Sequence, residues 1–165
     1  MPDFEKMTPE LSRLFIRLDA AAPADPVLQA AAGLWRERRG GALYPPERLI
    51  DDLPAFARPH ALLARMSLNG TKDWMFAGAG ASAAISLGGA SGRVADAVNT
   101  ELGRRLSALF DLVANKGEPY AASFELESPG GEKRWCEAYA APLLAAHGGE
   151  PAILAVLNWR AGAKR

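Results

Sequence analysis

Three groupings of residues in this sequence have types and spacings that suit chemistry. Cys136, His60 and His147 supply a thiol and two imidazoles, the parts of a nucleophile–base pair. A thiol attacks only as thiolate, which needs an electropositive neighbour, and none is evident. Cys136 falls inside a strand-like run and His147 in the turn-like AAHGGE, so a buried structural thiol is the simpler reading. Gly78-Ala79-Gly80-Ala81-Ser82-Ala83 fits G-x-G-x-x-[G/A], the spacing of a turn that cradles a phosphate. That chemistry requires a long helix next and then a second parallel strand ending in an acid. Gly88-Gly89 stops the helix early and no such strand follows, so a tight connection of small residues is favoured. Glu137, alternating with Trp135 and Tyr139, is the one acid placed to face a pocket; a solvated or ion-paired sheet residue is the simpler reading. No Cys/His cluster has the spacing of a zinc site.

The elements that must position these residues are bounded by composition. The chain has 165 residues, 19 basic and 19 acidic, with one Cys. That length suits one domain. A formal net charge of zero removes the electrostatic footprint of a nucleic-acid binder and long-range steering toward acidic partners. A lone Cys forms no internal disulfide. No apolar run approaches the length of a membrane span. The opening MPDFEKMTPE lacks the apolar core of a signal peptide, so a cytoplasmic protein is expected. Alanine is the commonest residue; it favours helix but buries little area, so the core must come from the larger apolar positions.

The pattern predicts a helix over 8–20, opened by Thr8, Pro9 and Glu10 and striped by Leu11, Leu14, Phe15 and Leu18. AAAPADP ends it. A second helix runs from Pro26 to Arg39, with Asp25 as N-cap, an apolar stripe of Leu28, Ala31, Ala32 and Trp35, and Gly40-Gly41 as stop. A Pro-rich stretch, 44–59, wraps irregularly around a short helical turn. Residues 60–69 alternate as a strand, Asn69-Gly70 signals a hairpin, and 73–80 returns. Small, Gly-rich residues over 81–92 suit short helical turns. A long helix follows over 100–115, with Thr100 as cap and Leu102, Leu106, Leu109, Phe110 and Val113 on one face. Strands over 120–127, 133–144 and 152–159 close the chain, with Ala122, Phe124 and Leu126 on one face of the first and Trp135 and Tyr139 on one face of the second. Strands joined by turns imply an antiparallel sheet in an α+β fold.

This ordered set resembles a PAS domain, most closely a PAS subgroup common in alphaproteobacteria and often found as stand-alone proteins. The resemblance covers about 27–160 and is carried by LWRERRGG (34–41), PHALLARMSLNG (59–70), WMFAGAG (74–80), GGASGRVAD (88–96) and EAYAAPL (137–143). Members of that subgroup often carry a charged residue in the second strand, where Met75 and Phe76 stand here. The resemblance implies a five-stranded antiparallel sheet in the order 2-1-5-4-3, with short helices and one long helix on one face and residues 8–39 flanking the outer face. It divides the chain into an N-terminal extension (1–26), the PAS domain (27–160) and a tail (161–165).

The resemblance also sets what to look for. An apolar pocket would be lined by Met66, Leu68, Phe76, Leu106, Phe110, Trp135 and Leu157, unless these side chains fill it as core. Leu11, Leu14, Phe15, Leu18 and Trp35 would meet a partner or a second copy, or dock on their own domain. No cofactor is expected. Flavin photochemistry needs a Cys on a short pocket helix, and the lone Cys136 is in a late strand; a haem ligand on the long helix would be a His, and 100–115 has none. A small apolar ligand is the remaining pocket content. The expected function is non-enzymatic signalling through contact with a partner such as a PAS-containing sensor histidine kinase, which would recruit the protein to a membrane-bound sensor. The alternatives are a small-molecule sensor and, less well supported, a cone-shaped α+β isomerase, which would need converging acid–base groups.

Overall fold

The computed structural model describes residues 9–19, 23, 25–39, 44–67, 73–127, 132–144 and 151–160. The elements in chain order are α1 (Pro9–Leu14), β1 (Arg17–Asp19), α2 (Pro26–Arg39), β2 (Ala61–Ser67), β3 (Asp73–Ala79), α3 (Ala81–Leu87), α4 (Thr100–Lys116), β4 (Tyr120–Glu127), β5 (Lys133–Leu143) and β6 (Ala152–Arg160). Short 3-10 turns lie at Glu47–Asp52, Arg58–His60 and Val94–Asp96.

The strands form one antiparallel sheet of six, in the order β1-β4-β5-β6-β2-β3. Count and order therefore differ from the five-stranded expectation, and the difference is β1. The helix expected over 8–20 stops at Leu14. The Ile16 N–H then donates to the Ser123 carbonyl at 2.8 Å, and Arg17–Asp19 pair with Ser123–Ala121. Pairing with a distant strand overrides the helical spacing of Leu11, Leu14 and Leu18. Leu18 is fully buried, and Phe15 meets Phe124 edge-on with ring centroids 5.9 Å apart. The Arg105 side chain fixes the segment by donating from Nε to the Leu14 carbonyl at 2.9 Å.

The sheet is covered on both faces. On one, Leu62, Phe124, Cys136, Ile153 and Leu157 pack against the apolar stripe of α4. That stripe is the expected one: Leu102, Leu106, Leu109, Phe110 and Val113 are all fully buried. Its cap is Asn99, whose Oδ1 accepts the Leu102 N–H at 3.3 Å, and Thr100 is the first helical residue instead. Gly117, at φ 69°, ends the helix in the left-handed region that a side chain disfavours. On the other face, Leu63, Tyr139, Leu154 and Val156 pack against Leu28, Ala31, Ala32 and Trp35 of α2 and against Leu49 and Leu53. Helices thus lie on both sides of the sheet: α2 takes the outer face, while residues 9–19 join the inner core and the sheet edge.

Polar contacts set the outer layer. Asp25 Oδ1 accepts the Val27 N–H at 2.8 Å and the Leu28 N–H at 3.3 Å, capping α2. Its Oδ2 accepts from Asn158 Nδ2 at 2.9 Å, which ties the cap to β6. Trp35 Nε1 donates to the Pro142 carbonyl at 2.7 Å. Arg65 grips the nearly buried Glu47 carboxylate with two parallel hydrogen bonds of 2.8 and 2.7 Å.

Candidate functional site

A cleft of about 740 Å³ is bounded by α3, the start of α4 and the ends of β4, β5 and β6. Its construction follows from small residues. Gly80 packs so closely on the backbone of Arg58 and Pro59 that no Cβ fits there. The helix after it turns Ala83 and Leu87 inward and leaves Ile85 outward, 79% exposed. Gly88, in the left-handed region at φ 77°, ends α3. Val98, 80% exposed, faces the same opening from the connection into α4.

A hydrogen-bonded network fixes the walls. Trp159 Nε1 on β6 donates to Ser86 Oγ at 2.7 Å, and that hydroxyl donates to the Ser82 carbonyl at 3.0 Å. Asn99 Nδ2 donates to the Ser86 carbonyl at 3.0 Å while Asn99 Oδ1 caps α4. One serine and one asparagine thereby join α3, α4 and β6. The Arg134 guanidinium stands 4.8 Å from the centroid of the Trp159 ring, a cation–π arrangement. Among the described residues, no carboxylate forms an ion pair with Arg134. Glu101, also on the cleft, accepts from Arg105 Nη1 at 2.7 Å and lies 3.7 Å from Arg104. The Arg105 hydrogen bond holds its carboxyl below the ordinary range. His60 lies on the cleft wall.

None of the described candidate pocket residues lines this cleft. Leu106, Phe110 and Leu157 are fully buried core, and Met66 and Phe76 pack partly buried against that core. Leu68 lies outside the described residues. Trp135 belongs to the opposite face of β5 from Cys136, with Nε1 at 3.4 Å from Glu137 Oε2. Of the residues expected at an interface, Phe15, Leu18 and Trp35 are buried in their own domain and Leu11 and Leu14 pack partly buried against it. The residues that do line the cleft, Ile85, Val98, Arg134 and Trp159, escaped the sequence reading. The Asn-Trp pair closing the apolar run 152–159 was the available signal.

Among the described residues, the chemistry-bearing side chains do not converge. Cys136 is fully buried, and its thiol lies 3.8 Å from the Glu137 carbonyl. Burial pushes that thiol well above its ordinary pKa, which makes it a poor nucleophile. His147 and the Asn69-Gly70 turn lie outside the described residues. Within the run 78–83, Gly78 and Ala79 end β3 and α3 has only 7 residues, in a sheet whose strand pairs are all antiparallel. The tight-connection reading fits that geometry. Glu137 lies with Arg17, Asp19 and Ser123 around a shallow hollow of about 70 Å³, away from the cleft. Among the described residues, no group of three His, Cys, Asp or Glu is arranged to hold a metal ion, and no helix is long and apolar enough to cross a membrane. No protein-family model matches this chain, and no curated protein matches it.

Proposed function

We propose that this chain is a non-enzymatic sensing module of the PAS type, which takes a small molecule into the α3–α4 cleft and passes on its state by contact with a second protein. The observation that carries this reading is the cleft itself. A volume of about 740 Å³ lies within the usual range of small-molecule sites. Its lining mixes apolar side chains with a few fixed polar groups, as such sites do. The resemblance to PAS domains supplies the class of output, a signalling protein such as a sensor histidine kinase. The buried, raised thiol of Cys136 supports a non-catalytic role.

A thermal-shift screen of the purified protein against metabolite fractions tests this. A ligand at a hundred times its Kd stabilises the folded state by about 2.7 kcal/mol. For a chain of this size that raises Tm by about 5–10 °C. Ile85→Trp, which fills the cleft from an exposed position, abolishes the shift. No shift with any fraction, or a shift that Ile85→Trp leaves intact, overturns the reading.

A second reading is an adaptor without a ligand. It is favoured by one observation: Ile85 and Val98 both expose large apolar side chains on the cleft. Pull-down of a PAS-containing kinase that is lost with Val98→Glu, in protein free of small molecules, selects this reading over the first.

A further inference from the structure

We infer that the cleft selects an organic anion, a small carboxylate with an apolar body, and that Arg134 is the residue that reads its charge. The inference rests on the cleft being a ligand site and adds the chemical class of the ligand.

The polar groups on the cleft differ in how far they are already bonded. Trp159 donates its only side-chain N–H to Ser86. Asn99 uses one amide N–H on the Ser86 carbonyl and its oxygen on the α4 cap. Glu101, the acid on the cleft, is engaged by Arg105 and Arg104, so its charge is balanced within α4. Arg134 differs from all of these. Its guanidinium stands over the Trp159 ring with Cζ 4.8 Å from the centroid, a contact that commits none of its N–H donors to an oxygen acceptor. It has no ion pair among the described residues. A planar fork of donors held in place by an aromatic ring matches a carboxylate, which accepts two parallel hydrogen bonds. The ring is itself fixed by Ser86, so Arg134 is pre-oriented and little side-chain freedom is lost on binding.

The remaining surface defines the rest of the ligand. Ile85 and Val98 are exposed on the same cleft, and Leu126 lies on its sheet side. An apolar body removes these side chains from water, while a carboxylate meets Arg134. A small dicarboxylate or free phosphate would meet the charge and leave the apolar wall wet. A neutral hydrocarbon would desolvate the guanidinium without replacing its hydrogen bonds.

Isothermal titration with a matched pair of probes, naphthylacetate and its neutral isostere naphthylacetamide, tests the inference. The wild-type protein is expected to bind the acid at least about tenfold more tightly than the amide, the size of one charge-assisted pair. Arg134→Gln is expected to bring the two affinities together while leaving amide binding unchanged. Arg134→Lys, which keeps the charge but not the fork, is expected to fall between. Equal binding of acid and amide by the wild-type protein overturns the inference, and that comparison requires no variant to fold. A preference that survives Arg134→Gln, or binding of neither probe, also overturns it. Success of the thermal-shift screen alongside equal binding of acid and amide leaves the ligand site standing and removes only its selectivity for anions.

Discussion

Two glycines in helices, Gly33 in α2 and Gly103 in α4, are expected to respond with opposite signs to the same change. Alanine in a helix interior is favoured over glycine by about 1 kcal/mol. At Gly33 nothing lies within 4 Å of an added Cβ, so Gly33→Ala keeps most of that gain. At Gly103 the same atom falls inside 3.0 Å of the Val94 carbonyl oxygen, at 3.5 Å from its carbon and at 3.3 Å from Ala97 Cβ. The obstacle is backbone of the 3-10 turn at Val94–Asp96, which cannot rotate away like a flexible side chain. Overpacking of this kind costs about 1–3 kcal/mol, enough to cancel the helix gain and leave a net loss of up to about 2 kcal/mol. At this chain length each kcal/mol moves Tm by about 2–4 °C. Gly33→Ala is therefore expected to raise Tm by about 2–3 °C, and Gly103→Ala to lower it by up to about 4–8 °C. Urea denaturation followed by circular dichroism separates the two, with unchanged m-values showing that stability alone has moved. Gly103→Ala as stable as Gly33→Ala would refute the close seating of α4 on the turn that leads to Val98 and Asn99.

Cys136 is expected to resist iodoacetamide in native buffer and to react at rates that follow unfolding as urea rises, since burial both shields the thiol and disfavours its thiolate; rapid native labelling contradicts this. Asp25→Ala removes the α2 cap and strands Asn158 Nδ2, an expected loss of about 2 kcal/mol by urea denaturation, whereas Asp25→Asn, which still caps, loses less. Glu101 has a folded pKa held below its unfolded value by Arg105, so its contribution is present above the unfolded carboxylate pKa and is lost as pH falls through the folded one. Glu101→Gln is thus expected to flatten the acid limb of stability against pH by well under 1 kcal/mol, because the Glu101 carboxylate is largely exposed; an unchanged limb counts against the ion pair.

Periodicity made the long elements legible. Leu102 through Val113 marked the buried face of α4, and Asp25-Pro26 marked the start of α2, because helix ends and apolar stripes are local in sequence. β1 was not legible. Arg17-Leu18-Asp19 has no strand pattern of its own, and its partner Ala121–Ser123 lies about a hundred residues away, where only tertiary contact can overrule helical spacing. Alternation put Trp135 and Tyr139 on one face, but a sheet apolar on both sides does not say which layer each face meets. The cleft was hidden for a related reason. Apolar repeats identify residues that fill space, as Leu106 and Phe110 do, whereas the cleft is walled by element ends, Ile85, Val98 and Trp159, which share no period.

The brevity of β1 bears on how copies of this protein treat one another. Without it, β4 would present eight residues of unpaired backbone, a template for strand-to-strand aggregation. Three residues cover Ala121–Ser123 and then stop, flanked by the charges of Arg17 and Asp19. Beyond them, on the stretch of β4 that no described strand pairs on this side, Glu125 adds a further charge. A short strand with charged ends thereby blunts this edge of the sheet.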